Sequence, residues 1–240
     1  PSAETLEIIK DKFRQKQFLK TAEIPTAQFR EVKNSNDIKK AAEVFGYPLL
    51  LKARFDAYDG KGNHVIGRED DIEFGIEKLK KSNLYVEKFV PFQKELAVVA
   101  ARDMFGNVVT YPVVETVHKN NICHTVYAPA PVLEKVRLKA EALAERVLEH
   151  LRGVGVFCVE MFLTQDENVL VNEIAPRVHN SGHHTIEACK TSQFEQHIRA
   201  ITAMSLGPVD LVVPAAVMIN VLGDRIGHAN VQGLEAALRV

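Results

Sequence analysis

The chain has 240 residues, 46% of them hydrophobic and 25% charged, with no low-complexity run; this excludes a disordered or fibrous protein and leaves room for one large or two small domains. Its 30 basic residues against 31 acidic ones exclude a global attraction to nucleic acid or anionic membranes, so any anion site must be local. Three scattered cysteines, Cys123, Cys158 and Cys189, with no CxxC, no signal peptide and no membrane-length apolar run, point to a reducing, cytoplasmic compartment.

Leu6, Ile9, Phe13 and the Phe18/Leu19 pair recur at roughly helical spacing, so one helix is expected from Leu6 to Thr21, closed off by Pro25. Gln28 to Val32 reads as a short strand, and Ser35 or Asn36 can cap a helix that runs through Phe45 and stops at Gly46. YPLLLKAR (47–54) is a buried strand; its Lys52 can set an ammonium on a phosphate or snorkel to water. FDAYDGKGN (55–63) places Gly60 and Gly62 around Lys61, which suits either backbone N–H groups cradling a polyphosphate or a plain hairpin turn. It is neither a Walker A loop nor GxGxxG. A strand at His64 to Ile66 precedes a helix from Asp70 to Lys81, acidic in its first turn and basic in its last. LYVEKFV (84–90) is a strand whose backbone could read an adenine while Glu95 holds ribose hydroxyls; the alternative is that Glu87, Lys88 and Glu95 face solvent.

Leu96 to Arg102 and Val108 to Glu115 are strands joined by a DMFGN turn, and His118 follows in a polar segment where a lone histidine is ordinarily a surface residue. A helix from Leu133 to Leu151 lies between Pro131 and Gly153. The most informative stretch is Gly153 to His184: a hairpin with strands Gly155 to Leu163 and Val169 to Ala175 and a turn at Thr164 to Asn168, then a polar loop. With Leu163 opposite Leu170, Glu160 falls opposite Glu173 on one face, a repulsive pair that a cation between them would relieve. Hard oxygen donors with Asn172 beside them suit Mg²⁺ better than Zn²⁺; a register slip of one residue would part the pair and leave two solvent-facing glutamates. Arg177, His179 and Asn180 stand within four residues and offer donors to a carboxylate, bicarbonate or phosphate, or else form a solvated loop. His179 and His183 are spaced like a helical zinc pair, but Gly182 and Pro176 oppose a helix there. Ser192 caps a helix over 193–206, and Pro214 to Leu222 is a last strand. Two mixed αβ segments therefore divide near residues 82 to 95.

Taken together, DKFRQKQFL (11–19), the Lys52 strand with YDGKGN (58–63), EKFV (87–90), Glu95, VETVH ending at His118, and NEIAPRVHNSGHHT (172–185) resemble the ATP-grasp superfamily. Within it they are most similar to the ATP-dependent carboxyaminoimidazole ribonucleotide synthetases of purine biosynthesis, in the form found in fungi and plants. The resemblance covers nearly the whole chain and implies an α/β (α+β) ATP-grasp fold: two mixed subdomains with antiparallel sheets clasping ATP, a small lid-bearing one at 53–86 and a large one at 87–240. It implies that Lys12 and Lys52 touch the ATP phosphates, that Ala57, Tyr58, Asp59, Gly60, Lys61, Gly62 and Asn63 close over them, and that Glu87, Lys88, Phe89 and Val90 form the adenine-reading edge. Glu95, His118 and Asn172 would add nucleotide contacts, and Glu160 and Glu173 would hold Mg²⁺. Tyr58, Asp59, Lys61, Arg177, His179 and Asn180 would surround the imidazole substrate and bicarbonate, the last three being catalytic. Lys12 departs from the arginine common in bacterial relatives, which keeps charge but loses the bidentate fork. The implied enzyme is a carbon–nitrogen ligase using ATP, bicarbonate and aminoimidazole ribonucleotide, a homo-oligomer in full-length form with a carboxylase (lyase) domain fused downstream and with flanking N- and C-terminal domains absent here. Alone, such a fragment is expected to bind ATP with Mg²⁺ and to carboxylate poorly. The alternatives are another ATP-grasp carboxylate–amine ligase and a non-catalytic ATP-binding module.

Overall fold

Where one helix is expected from Leu6 to Thr21 there are two, α1 (Ala3–Lys10) and α2 (Lys12–Thr21). The break falls at Asp11, whose extended backbone and carboxylate cap α2 by accepting from the amides of Phe13 and Arg14 at 3.0 and 3.3 Å. The fold is that of a computed structural model, which describes residues 1–55, 62–79, 83–223, 231, 233–237 and 239. The expected closing-loop residues Ala57, Tyr58, Asp59, Gly60 and Lys61 lie outside the described residues.

A small unit follows: β1 (Phe29–Val32), α3 (Ser35–Phe45, capped by Asn34 rather than Ser35 or Asn36), β2 (Leu49–Ala53), β3 (Asn63–Ile66), α4 (Ile72–Leu79) and β4 (Leu84–Lys88). The sheet order is β1-β4-β2-β3, all antiparallel, so β4 inserts between two strands that precede it in sequence. This sheet takes in residues on both sides of the 53–86 stretch. Ile38, Ala41, Leu49, Leu51, Ile66, Ile72 and Val86 form its core.

The larger unit holds β5 (Phe92–Arg102), β6 (Val108–Thr110), β7 (Val114–Lys119), β8 (Ile122–Ala128), α5 (Glu134–Leu151), β9 (Gly155–Thr164), β10 (Val169–Ala175), α6 (Thr185–Ala188), α7 (Gln193–Ile201) and β11 (Ala216–Ile219). A one-turn helix, α8 (Leu234–Ala237), comes last. The sheet runs β10-β9-β5-β7-β8-β11, with β6 paired to β5. The strand expected over 108–115 is split in two: the Tyr111 amide still pairs with Val99, but Pro112 has none to give. His118, expected in a polar segment, lies instead within β7, and β8 pairs beside it. Among the described residues no helix is long and apolar enough to cross a membrane.

Strand alternation sorts this sheet into two buried faces. Leu96, Val98 and Ala100 of β5 join Phe157, Val159, Met161 and Leu163 of β9 under α5, which contributes Val136, Ala140, Leu143, Ala144, Val147, Leu148 and Leu151. Each Val or Leu so buried contributes about 1.5–3 kcal/mol before chain entropy is counted. Ala97, Val99 and Ala101 with Val156 and Cys158 occupy the other face. By the same parity Glu160 follows Cys158 onto that second face, away from α5.

Candidate functional site

On that second face a cleft of about 780 Å³ opens, lined by residues of α2, β3, β5, β7, β9, β10 and the segment after β10. It brings together Lys12, Gly62, Asn63, Glu95, His118, Glu160, Asn172, Glu173, Arg177, His179 and Asn180 of the expected site. Lys52 and Glu87 are not among its lining residues, and Lys88, Phe89 and Val90 line a separate 410 Å³ cavity with Thr26, Gln28 and Asp166.

Glu160 and Glu173 are Cα partners across the β9–β10 ladder, and an extra residue makes them so. Leaving the turn, Leu163 pairs with Val169, not Leu170 as expected, then Phe162 with Leu170 and Met161 with Val171. That register, continued, would set Asn172 against Glu160. Instead it shifts between Val171 and Glu173, leaving Asn172 as a β-bulge. Val169, Val171 and Ile174 all reach the core under α5, a spacing of two and then three, so Glu173 turns to the cleft rather than into the core. Elements outside the sheet pin this edge on both sides of the bulge. The Val171 amide donates to the Pro25 carbonyl at 2.8 Å, and the buried Gln15 accepts from the Ile174 amide at 2.9 Å while donating to the Ile174 carbonyl at 3.2 Å.

Burial, and then the charge of Glu173, push the Glu160 carboxyl up to about 7, although 29% of its side chain still faces the cleft. Lys12, the first residue of α2, places Nζ 2.8 Å from Glu173 Oε2. The Asn172 side-chain oxygen is buried without a hydrogen-bond partner. Two carboxylates and an orphaned amide oxygen on adjoining strand positions are a donor set that fits a hard divalent cation. Among the described residues no group of three His, Cys, Asp or Glu side chains could hold a metal, so the rest of an octahedral shell would have to come from a ligand and water.

The pair has a pH signature. A carboxyl raised from 4.5 to about 7 stabilises the fold below 4.5 and loses that contribution as pH rises through 7, when the second charge appears beside Glu173. A bound cation reverses the sign, because it needs both groups ionised. If a divalent cation such as Mg²⁺ binds this pair, the stabilisation it gives should grow from pH 6 to pH 8, the metal affinity falling about tenfold per unit below 7. Thermal melts with and without Mg²⁺ at pH 6, 7 and 8 check this, and an increment independent of pH would contradict it.

On the neighbouring strands β5 and β7 of the same sheet, Glu95 and His118 are paired, Oε2 to Nδ1, at 2.5 Å, and that hydrogen bond raises the His118 pKa against the effect of burial. Lys94 pairs with Glu115 at 2.6 Å nearby. Past β10, the His179 ring accepts at Nδ1 from the Ser181 amide at 3.4 Å, which leaves its proton on Nε2, 3.4 Å from Glu160 Oε1. Burial, with Arg177 next, lowers His179 to about 4, so at neutral pH it is an uncharged donor.

Lys52 and Glu87, expected on phosphate and adenine, are both buried and face each other at 3.2 Å. Lys16, which the sequence offers only as one more helix lysine, joins them 3.4 Å from the same carboxylate oxygen, with Tyr85 donating its hydroxyl to it at 3.0 Å. Burial, opposed by Glu87, lowers Lys16 to about 8. Lys16 is one helical turn past Lys12, and Gln15 stands three residues along, so position on α2 is the signal that could have found both. Arg54 joins this unit to α2 by pairing with the Asp11 cap.

Residues 17–194 match the ATP-grasp domain family. Over 93% of its length the chain is 46% identical to the phosphoribosylaminoimidazole carboxylase of Candida glabrata, spanning 40% of that protein. It is 40% identical over 93% of its length to the N5-carboxyaminoimidazole ribonucleotide synthase of Bacillus subtilis, spanning 59% of it. Among solved structures, the N5-carboxyaminoimidazole synthase of Aspergillus clavatus, in complex with ADP and 5-aminoimidazole ribonucleotide, superposes with a TM-score of 0.89 at 39% identity, covering 100% of this chain and 62% of that one.

Proposed function

Since the chain belongs to the ATP-grasp family, we propose that it forms the nucleotide and carboxylation site of an enzyme that carboxylates aminoimidazole ribonucleotide with bicarbonate at the expense of ATP. The observation that carries the reading is the bulged carboxylate pair, Glu160 and Glu173, sharing one cleft with Lys12, Arg177, His179 and Asn180. A bicarbonate oxygen attacks the γ-phosphorus of ATP, ADP leaves, and carboxyphosphate results. The amine nitrogen of aminoimidazole ribonucleotide then takes the carboxyl carbon, phosphate leaves, and the nitrogen sheds a proton. Mg²⁺ held by Glu160, Glu173 and the Asn172 oxygen would neutralise the charge on the phosphate oxygens.

The chain's own residues do the remainder. Lys12 exchanges its bond to Glu173 for a phosphate oxygen. Arg177 and Asn180 line the cleft beside His179 and would orient the two anionic reactants. His179, uncharged with its proton on Nε2, acts as a donor that orients carboxyphosphate rather than as a base. Excluding water matters because the mixed anhydride hydrolyses readily.

In the test, this chain, joined to the flanking regions its relatives carry, receives ATP, Mg²⁺, labelled bicarbonate and aminoimidazole ribonucleotide. Label should enter the ribonucleotide with one ADP formed per carboxylation. ADP formation that ignores bicarbonate, or that needs a different amine acceptor, would overturn the reading.

A further inference from the structure

The polar segment after β10 carries the reactive side chains, yet it is an irregular run with a one-turn 3₁₀ helix, Asn180–Gly182, and such loops hold no geometry of their own. One buried side chain supplies it. Gln193, the first residue of α7, is 0% exposed, and its amide faces the backbone of His179 as a neighbouring strand would. The His179 N–H donates to Gln193 Oε1 at 2.9 Å, and Gln193 Nε2 donates to the His179 carbonyl at 2.8 Å. The same nitrogen lies 3.1 Å from Nδ1 of His183.

The glutamine is itself fixed. Its amide N–H donates to Thr185 Oγ1 at 2.9 Å, and that hydroxyl donates to the Gly182 carbonyl at 2.6 Å, tying α7 to both ends of the loop's turn. Gly182 has no side chain where one would collide: a Cβ there would sit 2.5 Å from Gln193 Oε1 and 2.9 Å from Val99 Cγ2. Clamping both polar groups of one residue sets its φ and ψ, and with them the direction in which its ring leaves the chain. For His179 that direction brings Nε2 to 3.4 Å from Glu160.

We propose that Gln193 is a positioning residue for the carboxylation step, acting through His179 by holding the backbone from which that imidazole reaches the carboxylate pair. The proposal rests on the carboxylation reading for the step it affects, and on geometry alone for the act of holding. Gln193 touches no reacting atom. Its loss leaves the ATP end of the cleft intact and lets the His179 ring leave its place.

The test is a double-mutant cycle with a spectroscopic arm, run on the full-length protein. Gln193→Met keeps the volume and removes both hydrogen bonds. It should lower kcat by about 30- to 100-fold, the scale of a misplacement near 1 Å, with KM for ATP within about twofold of the parent. In a His179→Ala background the same change should cost less than about threefold more. Gly182→Ala, whose added methyl pushes the Gln193 amide aside while leaving residue 193 a glutamine, should show the same split and the same non-additivity, and it serves if Gln193→Met does not fold. In the metal-free protein the His179 Nε2–H resonance, identified by its loss in His179→Ala, should broaden or shift in either variant. That arm needs no substrate, so it decides the holding role even if bicarbonate proves not to be the reactant. Costs that multiply in the cycle, a rise in the ATP KM matching the fall in kcat, or an unchanged His179 resonance would each overturn the proposal.

Discussion

Glu173→Gln should bring ATP turnover down by on the order of 10³-fold while the protein remains folded, because it removes one anionic oxygen from the metal position and keeps the shape of the side chain. The structure gives this prediction a second half. Much of what raises the Glu160 pKa, after burial itself, is the charge on Glu173. A neutral glutamine relieves that repulsion, so Glu160 should titrate closer to its ordinary 4.5. The metal-free variant should then lose less stability than the parent between pH 6 and pH 8. Against this, Lys12 loses its 2.8 Å partner, a partly exposed ion pair of modest worth. ADP formation at saturating ATP and denaturant titrations at two pH values measure both halves. Turnover within tenfold of the parent would remove the metal assignment.

Glu87→Leu should cost about 3–5 kcal/mol of stability, the scale for breaking a buried ion pair from one side. Lys16, Lys52 and Glu87 are all buried, and a single carboxylate serves both ammonium groups. Without it the lysines must shed protons or admit water, so the penalty should be largest near neutral pH and shrink as pH rises toward the ordinary lysine range. The melting temperature should fall by on the order of 10 °C. Lys16→Met should cost much less, because Lys52 keeps its partner and one cation fewer is buried. Equal losses for the two variants would show that charge compensation is not what holds this cluster together.

The parts of the site most legible in sequence were those where polar residues interrupt an apolar pattern. Glu160 and Glu173 stand out because each breaks a strand that is otherwise buried. The contiguous run from Arg177 to Asn180 stands out because so many donors so close together have no use in a core. Lys16, Gln15 and Gln193 were not legible in that way. Each is an unremarked polar residue on an amphipathic helix, and only tertiary packing shows that it points inward. The inward turn of Glu87 is hidden for a related reason: β4 is central, paired with β1 on one side and β2 on the other, while its sequence reads equally well as a solvated edge. Asp11 did carry a local signal, a short carboxylate ahead of two orphan amides, but the apolar spacing on either side suggested one unbroken helix. β8 is hard to read from sequence although Ile122, His124, Val126 and Ala128 alternate with Cys123, Thr125 and Tyr127, because its polar content resembles that of a loop.

The single unpaired residue at Asn172 gives β10 two phases, one on each side of it, so the direction of Glu173 depends on that residue staying out of the ladder. Removing Asn172 would drop only the unpaired residue: Val171 would stay opposite Met161, Glu173 opposite Glu160 and Ile174 beneath α5, and the orphaned amide oxygen alone would be lost from the cleft. Adding or removing a pair of residues at the tip, 165–168, leaves both phases where they are. The hairpin can therefore lengthen at its tip by pairs or lose its bulge without moving the carboxylates, whereas drawing Asn172 into the ladder would turn Glu173 beneath α5.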